Sequence, residues 1–150
     1  MMGAYGLSVR GLGALLGRLY IGALSDRVGR RTAVVGAIVA QSLALLSFGI
    51  IGGLPMLMVS AFVFGAAYAG TSTMFPVILG DFFGRGHVGS LSGFLFAFSG
   101  IFAGLGPFVT GVLRDARGDY ALAFVLAALV NAAALILLPW ARPPRVPPWT

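Results

Sequence analysis

The chain has 150 residues, of which 59% are hydrophobic and 9% are charged, and its formal net charge is +6. A soluble domain carries about 25% charged residues, so this composition excludes an ordinary soluble globule and predicts a protein embedded in a lipid bilayer. Cysteine and glutamate are absent from the sequence and His87 is its only histidine. The sequence therefore offers no metal cluster and no paired carboxylates, and we expect no metal, no cofactor and no enzyme activity.

The predicted membrane spans follow one another along the whole chain. A transmembrane helix needs about 20 apolar residues, and the first such segment is interrupted by Arg10 and Arg18. The spans are predicted at residues 7–24, 32–51, 55–79, 90–113 and 120–140. The predicted fold is all-α: a polytopic bundle of five spans over residues 1–141, followed by a Pro-rich tail at residues 142–150.

All ten basic residues are arginines, and all but Arg10 and Arg18 lie between or just beyond the apolar segments instead of forming one basic face. This distribution argues against nucleic-acid binding. Cytoplasmic loops carry the excess of arginine and lysine, which places the loop after the first span and the carboxyl terminus in the cytoplasm, with Arg114 and Arg117 outside. The use of arginine alone, with many alanines and glycines, indicates a high-GC bacterial gene and hence a bacterial inner membrane.

The stretch "GALSDRVGRR" concentrates charge between the first two spans. It resembles the G-x-L-x-D-R-x-G-R-R signature of the major facilitator superfamily, on Gly22, Leu24, Asp26, Arg27, Gly29, Arg30 and Arg31. The resemblance implies helices 8 to 12 of that fold, a partial carboxyl-terminal six-helix bundle. The segment from Asp81 to Tyr120 is similar to helix 11 and its flanks in the branch of monocarboxylate porters and oxalate/formate exchangers.

The resemblance also implies that the motif acts as a conformational latch at the cytoplasmic face. Asp26 follows the first span, where the helix dipole disfavours a carboxylate, so it needs a partner, either an adjacent arginine or the amino end of a neighbouring helix. The resemblance implies contact with the amino end of helix 11, near residues 89–92. Gly22 is expected to allow close helix approach, and Gly29 a tight turn.

Arg18 is the most informative residue outside the motif. An arginine inside an apolar span normally faces a cavity or a partner, and a guanidinium pairs well with a carboxylate. In monocarboxylate porters a similarly placed arginine has an acidic partner one turn earlier, which corresponds here to Ala14. Arg18 is therefore a candidate contact for an anionic solute, with snorkelling or backbone hydrogen bonding as the alternative, whereas Arg10 is expected at the membrane interface.

Two further patterns involve small and polar side chains. Tyr68, Thr71, Ser72 and Thr73 form a polar patch in the third span; the resemblance makes them candidate solute contacts, and hydrogen bonding between helices is the alternative. Gly93, Ala97, Gly100, Gly104, Pro107 and Gly111 recur at alternating spacings of four and three. This stripe predicts tight helix packing, and the missing amino-terminal half is a candidate for the packing partner.

The second and fifth spans, rich in Ala, Leu and Val, are expected to be peripheral and to face lipid, with Gln41 and Asn131 making hydrogen bonds between helices. The function expected is secondary active transport of a small solute, such as a small organic anion, by alternating access. Five spans do not form two bundles, so we expect a fragment or a truncated product. Its expected partner is the missing amino-terminal transporter half, from the same gene or a separate chain. The alternative is a non-transporting membrane remnant or assembly partner.

Overall fold

The computed structural model describes residues 2–50 and 53–138. The helices are α1 (Met2–Val28), α2 (Arg30–Ile50), α3 (Leu54–Phe83), α4 (Val88–Arg117) and α5 (Ala121–Leu137), with a 3-10 turn at Arg85–His87. These residues contain no strand, which confirms the all-α bundle. The predicted tail at residues 142–150 lies outside the described residues.

Four of the helices are long and apolar enough to cross a membrane, and the described part of α5 is shorter, with 17 residues. The turns between them are tighter than the sequence indicates. Gly29 alone separates α1 from α2, and α3 continues through Pro76 as far as Phe83. Helical hydrogen bonding therefore extends through polar residues that sequence analysis placed in loops.

Helix α2 contacts α1, α3 and α5. Its buried face includes Val34 and Ile38, which pack with Met74 of α3. Val39, Leu43 and Ile50 on its other side are exposed, so α2 has one buried and one open face, and contact of the open face with lipid stays a prediction. Alanines at intervals along the buried face leave room for α3 and α5 to approach.

A polar contact also joins α2 to α5. The side-chain amide of Asn131 donates hydrogen bonds to the Ile38 carbonyl at 3.2 Å and to the Ser42 hydroxyl at 2.9 Å. Asn131 thus bonds between helices, as its position in an apolar span predicts. Such bonds hold membrane helices together where lipid cannot satisfy polar groups.

Helices α1 and α3 form the most extensive contact, along a line that we call the glycine seam, defined by Gly13, Gly17 and Gly65. A Cβ added at Gly13 or Gly17 would overlap the α3 backbone, and one added at Gly65 would overlap the α1 backbone at Arg10. Backbones in lipid approach this closely only where side chains are absent. The seam was not singled out by sequence analysis, which assigned tight packing to the fourth span.

Helix α4 shows the opposite behaviour, because none of its residues is buried in the described structure. A Cβ added at Gly93, Gly100, Gly104 or Gly111 would meet no described atom within 4 Å, and Ala97 and Pro107 are exposed. The predicted tight packing of this stripe is not formed within the described residues. Packing against helices outside this chain stays a prediction.

Candidate functional site

The glycine seam places the principal candidate side chains around one cavity. Arg18 from α1 and Tyr68 and Ser72 from α3 line a space of about 290 Å³ between the two helices. The rest of the wall comes from α1 and α3 as well: Leu7, Arg10, Gly11, Ala14, Gly65 and Ala69. Three of the five predicted solute contacts are thus brought together in space.

Helical periodicity explains which side chains reach this cavity. Residues four apart lie on one helix face, so Arg10, Ala14 and Arg18 share a face of α1. On α3 the same spacing relates Tyr68 to Ser72. The seam between the helices holds these two faces at a fixed separation.

Thr71 and Thr73 do not line the cavity. Thr71 is buried, and its hydroxyl donates a hydrogen bond of 2.8 Å to the Ala67 carbonyl of its own helix. Thr73 makes the equivalent bond to the Ala69 carbonyl at 2.5 Å. The two threonines lie on either side of the α3 face that lines the cavity, so the polar patch predicted from the sequence is divided between faces.

Arg10 also belongs to the cavity wall, and its position at the membrane interface stays a prediction. Its guanidinium carbon lies 5.4 Å from the ring centre of Phe64 and 5.8 Å from that of Tyr68. Both separations fall within the range of cation–π attraction. The eight-residue spacing between Arg10 and Arg18 was the signal in the sequence that pointed to a shared face.

The charge of this cavity is positive. Its lining contains two arginines and no acidic residue. The chain's four aspartates, at positions 26, 81, 115 and 119, all lie towards helix ends. A carboxylate entering the cavity would therefore meet cations without a competing carboxylate in the lining.

A larger cavity of about 1040 Å³ lies among α1, α2 and α3, but its chemistry differs. No charged residue lines it, and Tyr20 and Thr32 are the lining residues with polar side chains. An anion placed there would lose its hydration without gaining a cationic partner, which is costly. The smaller cavity at the seam is therefore the better candidate solute site.

The charged motif lies at the junction of α1 and α2. Gly29 has a φ of 89°, a conformation that favours glycine, and its N–H donates to the Ser25 carbonyl at 3.1 Å. The buried Ser25 hydroxyl donates to the Gly22 carbonyl at 2.8 Å. Gly29 thus provides the tight turn expected of it and ends α1 with a glycine cap.

Two expectations for this motif are not met in the described structure. No Cα of α1 lies within 8 Å of a Cα of α4, so Asp26, which is exposed, does not contact the start of α4. No described atom would lie within 4 Å of a Cβ added at Gly22, so this glycine does not serve close helix approach here. Helix α4 contacts α3 and α5, which accounts for the missing contact of Asp26 with the start of α4.

The ion pair at this end of the bundle joins Arg30 to Asp81. Arg30 is the first residue of α2, and Asp81 lies in the last turn of α3. The helix dipole disfavours a cation at the amino end and an anion at the carboxyl end. Pairing the two side chains offsets both unfavourable placements and ties α2 to α3.

Comparison with known proteins agrees with the motif and the fold. The family model for the Major Facilitator Superfamily matches residues 2–149. The chain belongs to the major facilitator superfamily. Membership confirms the resemblance carried by the stretch from Gly22 to Arg31, and with the apolar helices it identifies an integral membrane protein of a transport family.

Three individual proteins match the chain at 32% to 34% identity. The chain is 32% identical to the human protein named monocarboxylate transporter 10 over 139 residues, covering 83% of this chain and 25% of that protein. The rat protein of the same name is also 32% identical, with 26% of its length covered. A Phaeosphaeria nodorum protein named MFS-type efflux transporter phmH is 34% identical over 63% of this chain and 16% of its own length.

The chain spans about a quarter of the length of the human and rat relatives that it matches. No solved structure matches the chain significantly. The relatives named above come from mammals and a fungus. Their names describe transporters, in line with the expectation of transport and not of enzyme chemistry.

Proposed function

We propose that this chain is part of a secondary active transporter that moves a small organic anion across the bilayer by alternating access. The observation that carries the proposal is the position of Arg18, which shares a cavity with Tyr68 and Ser72 in the absence of any acidic lining residue. The similarity to proteins named monocarboxylate transporter supports a carboxylate as the solute.

The chemistry of the cavity fits a carboxylate. A guanidinium presents paired N–H donors that match both oxygens of a carboxylate, and the hydroxyls of Tyr68 and Ser72 can donate to the lone pairs that remain. An arginine within a membrane span is costly unless it faces a cavity or a partner. An anionic solute would supply Arg18 with the negatively charged partner that Ala14 cannot provide.

Alternating access requires two bundles that rock about the solute site, so we propose that further helices, from the same gene product or from a separate chain, complete the transporter. The quarter-length coverage of the human and rat relatives supports this, as do the open glycines of α4. In this arrangement the motif at the α1–α2 junction acts as the cytoplasmic latch. We further propose that the carboxyl terminus is cytoplasmic and the membrane is a bacterial inner membrane.

A second candidate is a non-transporting membrane protein that binds other helices as an assembly partner. The exposed face of α4 favours this candidate, because an open small-residue stripe suits helix association as well as transport. The two candidates differ in whether a solute crosses the membrane.

Flux measurements in proteoliposomes separate the two candidates. We expect saturable uptake of a radiolabelled monocarboxylate when this chain is reconstituted with the amino-terminal helices of a complete gene product, and none from the chain alone. Binding without flux from the complete assembly would favour the assembly partner. Neither binding nor flux of any small carboxylate would overturn the transporter proposal.

A further inference from the structure

Arg10 extends the proposed anion site in a way that neither the motif nor the named relatives assign. We infer that Arg10 is a second anion-binding residue of the seam cavity, and that the cavity selects short dicarboxylates over monocarboxylates. This inference rests on the proposed function, because it assumes that the cavity at Arg18 receives the solute.

The contacts of Arg10 hold its guanidinium in place without using up its donors. The group lies near the faces of Phe64 and Tyr68, and stacking of this kind engages the guanidinium plane while its N–H edge stays available. None of the hydrogen bonds or ion pairs described for this structure has Arg10 as the donor. Aromatic rings thus orient a cation that an anion can still reach.

Arg10 also stands where two cavities meet. Besides the cavity that contains Arg18, it lines a neighbouring space of about 360 Å³ with Phe48, Phe64 and Phe124. The aromatic rings on that side offer no hydrogen-bond acceptor for the guanidinium. Its polar edge is therefore better satisfied on the Arg18 side, where a charged solute would lie.

The charges in the seam cavity favour a dianion. Arg10 and Arg18 lie on the same face of α1 with Ala14 between them, and no acidic residue shares the lining. A monocarboxylate can neutralise one of these cations and leaves the other without a partner in a region of low dielectric. A dicarboxylate can neutralise both.

The spacing along α1 sets the length of the preferred solute. Eight residues correspond to about 12 Å along a helix axis. Side chains that extend side by side into the shared cavity keep about this separation between their guanidiniums. An N–O contact of about 3 Å at each end then leaves about 6 Å between the outer carboxylate oxygens, the reach of a dicarboxylate with about four or five carbons. A shorter dianion would contact one arginine at a time, and a longer one would have to fold.

The test measures binding of a series of carboxylates by isothermal titration calorimetry, using this chain assembled in lipid nanodiscs with the amino-terminal helices of a complete gene product. The series contains propionate, malonate, succinate, glutarate and adipate. We expect succinate or glutarate to bind at least about tenfold more tightly than propionate, since a second charge-assisted contact is formed. Arg10→Gln should weaken dicarboxylate binding about tenfold and change propionate binding less than about threefold.

Two matched substitutions complete the design. Arg18→Gln should weaken binding of every member of the series, because Arg18 contacts the carboxylate that all of them share. Arg117→Gln makes the same chemical change at an exposed position at the end of α4, outside the cavity, and should alter no affinity. Circular dichroism of each variant reports whether the helices are retained.

The outcomes distinguish this inference from the proposed function. Equal affinity for propionate and succinate, or a dicarboxylate preference that survives Arg10→Gln, overturns the role of Arg10 and leaves the anion site at Arg18 standing. No binding of any carboxylate overturns the proposed function itself. If Arg10→Gln fails to fold, the wild-type series decides: an affinity maximum at four or five carbons supports the inference, and a flat series contradicts it.

Discussion

The glycine seam between α1 and α3 and the small-residue stripe of α4 have similar composition but opposite environments. At the seam, the positions where Cβ atoms would lie are occupied by the backbone of the facing helix, whereas the glycines of α4 face open space in the described structure. Small residues at helical spacing therefore indicate a capacity for close approach. They do not show which helix approaches, or whether it belongs to the same chain.

Among the substitutions that test this comparison, Gly17→Ala should have the largest effect on folding free energy. The added methyl group would overlap the backbone at Ala66, and overpacking of this kind costs about 2 to 3 kcal/mol in folding free energy. Chemical unfolding in detergent micelles, followed by circular dichroism, measures the loss. Gly6→Ala on the same helix meets no described atom within 4 Å and serves as the control. Equal losses of stability at the two positions would contradict close packing of α1 against α3 at Gly17.

Arg18→Gln tests whether Arg18 binds a carboxylate in the cavity beside the glycine seam. Loss of a charged hydrogen-bonding partner should weaken carboxylate binding by about 2 kcal/mol, or about thirtyfold. The comparison is again with Arg117→Gln at the end of α4, and calorimetric titration measures both. Undiminished affinity in Arg18→Gln would leave Arg18 with a purely structural role.

Ala14→Asp restores an acidic residue one turn before Arg18. Residues four apart on a helix form ion pairs, so the new carboxylate should compete with the solute for Arg18. We expect carboxylate affinity to fall by about 1 kcal/mol, close to fivefold. Ala14→Asn, which has the same shape without the charge, is the control and should change affinity less.

Gly104→Ala should change the free energy of unfolding in the direction opposite to Gly17→Ala. Alanine is favoured over glycine within a helix by about 0.5 to 1 kcal/mol, and no described atom would meet the added methyl group. The substitution should therefore stabilise this chain on its own. In an assembly where other helices cover α4, the same substitution should destabilise, and comparing the two unfolding curves tests for that partner; stabilisation in both contexts would contradict it.

The smallest expected effect concerns the cytoplasmic end of the bundle. A partly exposed ion pair contributes about 0.5 kcal/mol, so a double-mutant cycle of Arg30→Ala and Asp81→Ala should give a coupling of that size. The cycle of Arg30→Ala with Asp26→Ala is the reference. A larger coupling to Asp26 than to Asp81 would contradict the observed pairing.

Much of the fold was predictable because lipid imposes a simple rule on sequence. A segment that crosses the bilayer must be apolar and must satisfy its own backbone hydrogen bonds, so each predicted span corresponds to one of the helices. The helix ends were less predictable. Asp26 and Asp81 are polar and yet helical, since backbone hydrogen bonding continues beyond the apolar segment.

The candidate site was predictable only in part. Arg18 was evident as a charge inside a span, and Tyr68 and Ser72 as polar residues in another span. Sequence proximity to Tyr68 suggested Thr71 and Thr73 equally well, but helical rotation turns them away. The place of Arg10 in the cavity wall was not predictable, because it depends on the packing of α1 against α3.

The sequence by itself determined the all-α membrane fold, the superfamily motif from Gly22 to Arg31, and the presence of cations within an apolar span. These properties depend on residue type and on spacing within single helices. The tertiary structure decided that α1 packs on α3, that Arg10 and Arg18 face one cavity, that Arg30 pairs with Asp81, and that α4 is left open. Those outcomes depend on which helices approach each other, and residues far apart in the chain carry no local signal of that choice.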